Sequence, residues 1–259
     1  MRLVAWNCNM ALHRKYEALL SLRPDVAVIS ECATPERLRR LSKEDWIEAD
    51  PVWIGRHDAK GLAVFTFNGY QARLSRDYWS NLRYLAPVHI DGETRFNLLA
   101  VWAQNASGGV TRKRQLGPFR RGLSRYRRFL DEQPVLVAGD LNNNAIWDRP
   151  GWRMNHMSTV GTLRAMGLMS AYHEISGEAH GEETAPTIYW RDRRRDGPTY
   201  HIDYIFLPTS WLAAVDDFSV GGFDGWCGSG LSDHVPLMID VTPKEAFASA
   251  EDQRKRAAR

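Results

Sequence analysis

The stretch Ser232-Asp233-His234-Val235-Pro236-Leu237-Met238-Ile239-Asp240 constrains this chain more than any other. A carboxylate and an imidazole stand side by side at the mouth of an apolar, β-branched run, so a strand begins where the polar pair ends. The arrangement recurs along the chain. Asn7 closes Leu3-Val4-Ala5-Trp6, and Glu31 closes Val26-Ala27-Val28-Ile29-Ser30. Asp140 and Asn142 close Val135-Leu136-Val137-Ala138-Gly139, and Asp203 opens Tyr204-Ile205-Phe206-Leu207. If the last two strands run antiparallel to the first three, all of these polar groups meet at one edge of the protein.

The spacing of apolar residues sets the order of elements. Residues 2–7 and 26–31 read as strands buried on both faces, and Leu12, Tyr16, Leu19 and Leu20 form one helical stripe over 10–22 between them. Thr34-Pro35 supplies a cap and a first-turn proline for a short helix to about Leu41. Short strands are expected at 52–54, 61–67, 70–74, 82–90 and 94–102, with a hairpin at Asp91-Gly92. An Arg-rich helix over 118–131 precedes the buried strand at 135–140, and a helix follows near 158–168. Strands near 187–190, 199–207, 215–220 and 234–241 complete the pattern. Helix and strand alternate without a linker, which predicts one α/β (α+β) domain over 1–242 and an exposed polar tail over 243–259. The βαβ-like units at 1–31 and near 135 suggest two pseudo-equivalent halves.

Composition narrows the class. With 44% hydrophobic residues the chain can bury a sizeable core, and a formal net charge of +3 excludes a polybasic nucleic-acid binder. Three cysteines without short spacing argue against a disulfide framework or a zinc site, and a reducing, cytoplasmic compartment is the expectation. Met1-Arg2 leads straight into a strand, leaving no room for a signal peptide, and no apolar run reaches membrane-spanning length.

The polar pairs carry the chemistry. Asp140 and Asn142, two residues apart on an extended chain, share a face; a carboxylate beside an amide suits a water nucleophile, or else an Asx turn. His201-Ile202-Asp203 repeats the spacing, and Asp203 could hold His201 or, across the sheet, His234. Glu31 at the end of an apolar strand is a costly buried charge unless paired or liganded. Hard oxygen ligands without His or Cys suggest Mg²⁺ or Mn²⁺. Cys8 and Cys32 point by alternation to the opposite face and read as buried filler.

Together, Trp6-Asn7, Ser30-Glu31, Gly139-Asp140-Leu141-Asn142, His201-Ile202-Asp203-Tyr204 and Ser232-Asp233-His234 resemble the endonuclease/exonuclease/phosphatase superfamily, from residue 3 to about 241. The resemblance implies a DNase I-like fold, a four-layer α/β/β/α sandwich of two mixed sheets, and a Mg²⁺-dependent phosphoesterase. It implies Glu31 as principal metal ligand with Asn7 and Asp233 around the ion. It further implies Asp140 activating or orienting water beside Asn142, and His234, oriented by Asp203, at the scissile phosphate. Two positions depart from the pattern. Trp102 stands where many members carry a second catalytic His, or Tyr in exonuclease III-like abasic-site nucleases, and an indole donates but cannot titrate. Ser30 replaces a Gln. Asn105, just past the Trp102 strand, becomes a candidate phosphate contact in its place.

The basic segments bear on substrate. Arg112, Lys113, Arg114, Arg120, Arg121, Arg125, Arg127 and Arg128 crowd one stretch, and Arg191, Arg193, Arg194 and Arg195 another. The first favours phosphate contact, Arg112 and Arg114 foremost, because the guanidinium fork matches phosphate; the tail arginines read as a solvated face. The expectation is a monomeric nuclease acting on DNA or RNA. Its rivals are a phosphatase or phosphodiesterase of a small molecule or lipid head group, and a nucleic-acid-binding domain that has lost turnover.

Overall fold

Strands buried on both faces need a packed layer on each side, and this chain supplies it with two sheets face to face and helices outside. The computed structural model describes residues 1–103, 118–132, 134–152, 154–190 and 194–243. The strands are β1 (Arg2–Asn7), β2 (Val26–Cys32), β3 (Val52–His57), β4 (Lys60–Thr66), β5 (Gln71–Leu74), β6 (Leu85–Asp91) and β7 (Phe96–Trp102). They continue with β8 (Val135–Asp140), β9 (Leu168–Ser170), β10 (Ile188–Tyr189), β11 (Thr199–Tyr200), β12 (Asp203–Pro208), β13 (Val215–Val220) and β14 (Leu237–Val241). The helices are α1 (Tyr16–Ser21), α2 (Pro35–Leu41), α3 (Pro118–Arg125), α4 (Arg127–Asp131), α5 (His156–Ala165), α6 (Ala171–Ser176) and α7 (Thr209–Leu212).

One six-stranded sheet runs β13-β14-β1-β2-β4-β3 and the other β5-β6-β7-β8-β12-β9, with β10 and β11 as a separate ribbon. In each sheet a parallel pair lies near the centre, β1 with β2 and β7 with β8. In each an antiparallel strand from later in the chain flanks that pair: β14 beside β1, and β12 beside β8. This is the antiparallel arrangement the sequence required for its polar strand ends to converge.

Alternation divides the core into layers. Leu3, Ala5, Val26, Val28, Leu98, Ala100, Leu136 and Ala138 meet between the sheets. Their neighbours Val4, Trp6, Ala27 and Ile29 face outward under α1 and α2 with Leu12, Leu19 and Leu38. Leu99, Val101, Val135 and Val137 face outward on the other sheet, under Leu123, Phe129 and Leu163 of α3, α4 and α5. The result is a four-layer α/β/β/α sandwich of the DNase I-like class.

Several elements differ from the sequence reading. The helix expected over 10–22 starts late, as a 3₁₀ turn at Leu12–Arg14 and then α1. Asn9, Met10 and Ala11 all have positive φ (46, 61 and 51°), and Lys15 Nζ donates to the Cys8 and Asn9 carbonyls, so the chain winds left-handed before any helix can form. The strand expected from residue 82 begins only at Leu85, after Tyr84 at φ 63°. The helix over 118–131 breaks at Tyr126, whose hydroxyl accepts from the Trp79 amide. The run at 199–207 splits into β11 and β12, and the last strand starts at Leu237, with His234 making only an isolated bridge to Ile188. Residues 244–259, expected as a tail, lie outside the described residues.

Candidate active site

The strand ends converge because of how β2 and β8 are finished. At Ser30 the pairing of β2 with β4 slips by one residue, and Glu31 takes φ 60°, which turns its side chain out of the regular pleat. Asn142, two residues past β8, takes φ 48°. Strain of this kind in a non-glycine residue is costly, and it gathers where a side chain must be aimed. Gly139 is required for a different reason. Its φ is 131°, and a Cβ there would stand 2.1 Å from the Val101 carbonyl oxygen of the neighbouring strand.

Asp140 is the hub. Its Oδ2 accepts from Asn7 Nδ2 at 3.0 Å and from Asn142 Nδ2 at 2.9 Å, and its Oδ1 from the Asn142 amide at 2.8 Å. The Asx turn and the site are therefore one structure. Asn7 Nδ2 also lies 3.5 Å from Glu31 Oε1, so one amide bridges two carboxylates, while its own oxygen accepts from Asn9 N–H. Register places Asp203 directly opposite Asp140. Asp203 resolves its two options in favour of His234: its Oδ2 lies 2.8 Å from His234 Nδ1, whereas His201 Nδ1 turns to the Ala185 carbonyl at 2.7 Å.

The support around these groups is buried. Ser232 Oγ donates to the Asn7 carbonyl and accepts from the His234 amide, which ties the two chain-distant strand ends together. Trp6 Nε1 donates to the His234 carbonyl, and Thr187 Oγ1 accepts from both the Ile202 and Asp203 amides. Cys8 and Cys32 are buried thiols in the layer beneath the first helices.

The electrostatics follow from crowding. Burial, and after it the Asp203 carboxylate, raises Asp140 well above the usual carboxylate range, against the pull of His234 and its amide donors. Burial alone would strip the proton from His234. The charge and hydrogen bond of Asp203, with Asp140 and Asp233 behind it, instead raise the imidazole to about 10. Asp203 Oδ1 is buried with no hydrogen-bond partner among the described residues. An orphaned carboxylate oxygen in a cluster of acids is the donor that a hard cation takes. Asp140, Asp203 and His234 each bring a side-chain atom within 4.8 Å of the others, so that two carboxylates and a protonated imidazole share one buried cluster.

Asp140 and His234 line a cleft of about 710 Å³, together with Asn7, Glu31, Asn142, Asp233 and Trp102, and Asp203 is buried behind them. Trp102 is buried against Tyr84, rings 4.5 Å apart, and carries Lys60 Nζ 5.2 Å above its centroid. Arg120, Arg149, Trp147, Trp152, Trp190 and Tyr200 form the walls. Of the first basic cluster, Arg120 therefore reaches the cleft; Arg127 pairs with Asp131. Arg194 and Arg195 pair with Asp196 and Asp224. Asn105, Arg112, Arg114, Arg191, Arg193 and the tail arginines lie outside the described residues.

Two participants escaped sequence reading. Lys60 Nζ stands 2.8 Å from Glu31 Oε2, and Arg149 lies on a loop with no periodic signal. A lone Lys at the start of a strand looks like any edge cation, and only the pairing of β2 with β4 reveals its target.

No family model and no curated protein matches this chain at significance. Solved structures do. An AP endonuclease from Leishmania major superposes with a TM-score of 0.66 at 15% identity, over 92% of this chain and 86% of that one. A 3′ phosphatase from Neisseria, bound to a product DNA hairpin, gives 0.63 at 17% identity, over 93% and 99%. An endonuclease/exonuclease/phosphatase from Beutenbergia cavernae gives 0.60 at 19% identity, over 96% and 73%. Across nearly its whole length, this chain has the fold of the endonuclease/exonuclease/phosphatase superfamily.

Proposed function

We propose that this protein is a Mg²⁺-dependent phosphoesterase that hydrolyses phosphodiester bonds in nucleic acid. The observation that carries the reading is the buried Asp140–Asp203–His234 cluster, of which Asp140 and His234 open on a cleft that also holds Asn7, Glu31 and Asp233. Glu31 and Asp233, with Asn7 beside them, would hold the ion, which when bound neutralises charge on the transferring phosphate. Asp140 is the group suited to take a proton from the attacking water, since burial and a second carboxylate raise its proton affinity. His234 is charged at neutral pH and so acts as donor to a phosphate oxygen, held in line by Asp203.

The polymer substrate is favoured by the walls. Trp147, Trp152, Trp190 and Tyr200 offer faces on which bases can stack, and Lys60, Arg120 and Arg149 offer cations for phosphates. The Neisseria relative in fold was solved with DNA, and the Leishmania one is an AP endonuclease. The test is hydrolysis of duplex DNA, single-stranded DNA, RNA and inositol phosphates with and without Mg²⁺. Turnover of a polynucleotide that needs the ion is the expected result. Turnover of inositol phosphates alone would move the small-ester reading ahead, and binding without turnover would favour a non-catalytic domain.

A further inference from the structure

A second polar cluster lies away from the cleft floor, in the segment that packs α6 and the loop after it against α5. Gly177, at φ 75°, stops α6, and the following loop returns His180 and Glu183 to the helix residue His173. His173 Nε2 stands 3.1 Å from Glu183 Oε1, and His180 Nδ1 stands 4.0 Å from the same oxygen. His156, the first residue of α5, brings its Nε2 to 3.1 Å from His180 Nδ1. Three imidazoles and a carboxylate, from α5, α6 and the loop after α6, are thus taken out of water together, and none has an Arg or Lys partner among the described residues.

We propose that His173, His180 and Glu183 form a second metal site, distinct from the cleft, that takes a borderline first-row divalent ion of the Zn²⁺ type. The three ligand atoms lie within 4.8 Å of one another. A tetrahedral ion with bonds of about 2.05 Å needs donor separations of about 3.3 Å, which the 3.1 and 4.0 Å spacings bracket. Imidazole nitrogen with one carboxylate suits Zn²⁺ and disfavours Mg²⁺, which asks for oxygen.

The surroundings are arranged for ligation. Ser170 Oγ sits 2.7 Å from His173 Nδ1, which fixes that ring with Nε2 toward the carboxylate. Glu183 Oε2 is occupied by the Asn144 side-chain amide at 3.0 Å and the Gly181 N–H at 2.9 Å, which leaves Oε1 facing the His173 and His180 nitrogens. The His201 ring, 6.0 Å from the His173 ring, is buried and its Nε2 has no partner among the described residues. The His173 and His180 rings stack at 3.5 Å, a contact that two charged imidazoles would not tolerate. A cavity of about 260 Å³ opens on His173 and His180 and gives the ion a way in.

The site would act as a brace. Asn144, which Glu183 holds, also donates to the His201 carbonyl and anchors the loop that follows Asp140 and Asn142, while His156 lines the cleft itself. An ion here would fix one wall of the cleft without touching the phosphate.

The test is metal binding, independent of turnover. The full chain is stripped with a chelator, dialysed, and titrated with Zn²⁺ in excess Mg²⁺, with metal content and melting temperature measured. One Zn²⁺ per chain is expected, with the melting temperature raised by about 5 °C at a hundredfold excess over Kd. Co²⁺ should give the intense visible absorption of a tetrahedral nitrogen–oxygen site. His180→Gln and Glu183→Gln should lose the ion and the absorption, and Glu31→Gln should keep both. Absence of stoichiometric Zn²⁺ and of the Co²⁺ spectrum in the wild-type chain would overturn the proposal, even if the variants fail to fold. So would an ion lost on Glu31→Gln and kept on His180→Gln. Neither result bears on whether the cleft hydrolyses phosphodiesters.

Discussion

The Lys60 ammonium lies 2.8 Å from the Glu31 carboxylate, and that carboxylate hangs from a backbone held at φ 60°. The pair places a cation where the cleft would otherwise present bare negative charge. Glu31→Gln keeps the shape and removes the charge a hard divalent ion needs, so Mg²⁺-supported turnover should fall at least about a hundredfold with the fold retained. Lys60→Met should lower the Mg²⁺ concentration for half-maximal activity by up to about fivefold, the worth of an exposed ion pair. Mg²⁺ titrations with circular dichroism check both, and full activity of Glu31→Gln would remove Glu31 from the metal.

His234 and Asp203 work as one unit if the 2.8 Å hydrogen bond between them orients the imidazole. Asp203→Asn and His234→Ala should then each cost turnover heavily, and the double variant little more than either alone. The measurement is kcat/KM for the four proteins of the cycle. Losses that multiply would separate the two residues.

Arg120 lines the cleft with its Nε buried and unpartnered among the described residues, and Arg149 stands over Trp152 at 5.5 Å. Arg120→Ala with Arg149→Ala should weaken polynucleotide binding and make its salt dependence shallower, by up to about 0.9 per lost phosphate contact on duplex DNA. Hydrolysis of a small aryl phosphodiester should change little. Replacing Arg112, Lys113 and Arg114 puts the same question to the other arginines of that stretch. Equal salt slopes in all three proteins would make these side chains a solvated face.

Arg2 and Asp240 form a two-point pair at 2.7 and 2.6 Å that joins β1 to β14. The Arg2 hydrogen bond is the main reason the Asp240 carboxyl titrates below its ordinary range. A depressed carboxyl contributes stability above its unfolded pKa of about 4, and that contribution is lost as pH falls through the lower folded value. Asp240→Asn should therefore cost about 1 kcal/mol at pH 7, or about 2–4 °C in Tm. The gap to wild type should close on acidification below about pH 4. Thermal melts at pH 7 and pH 3 read it directly, and an equal gap at both would exclude the linkage.

Much of this molecule was legible because its information is periodic. Buried strands announce themselves by apolar runs, and a polar residue at the end of such a run, as at Asn7, Glu31 and Asp140, has to be doing something other than packing. The antiparallel placement of β12 and β14 followed from requiring those ends to meet. What stayed hidden is aperiodic. Three left-handed residues at Asn9, Met10 and Ala11 undo a good helical stripe. Lys60 gains its meaning from a partner strand, and His156, His173, His180 and Glu183 are brought together by a glycine-stopped loop that no spacing rule describes. The choice of Asp203 between two histidines also needed coordinates, since both candidates flank it in plausible geometry.

The cross-linking of β1 to β14 has a temporal consequence. Asn7 and Glu31 leave the ribosome more than two hundred residues ahead of Asp233 and His234. Until then β1 has β2 on one side and an open edge on the other, and Trp6 and the Asn7 carbonyl await partners that do not yet exist. The nascent chain is thus assembled around a gap that β14 closes, and loop closure over that span makes the closing step slow. Synthesis itself keeps the cleft incomplete, so that no partly made chain can carry the whole constellation.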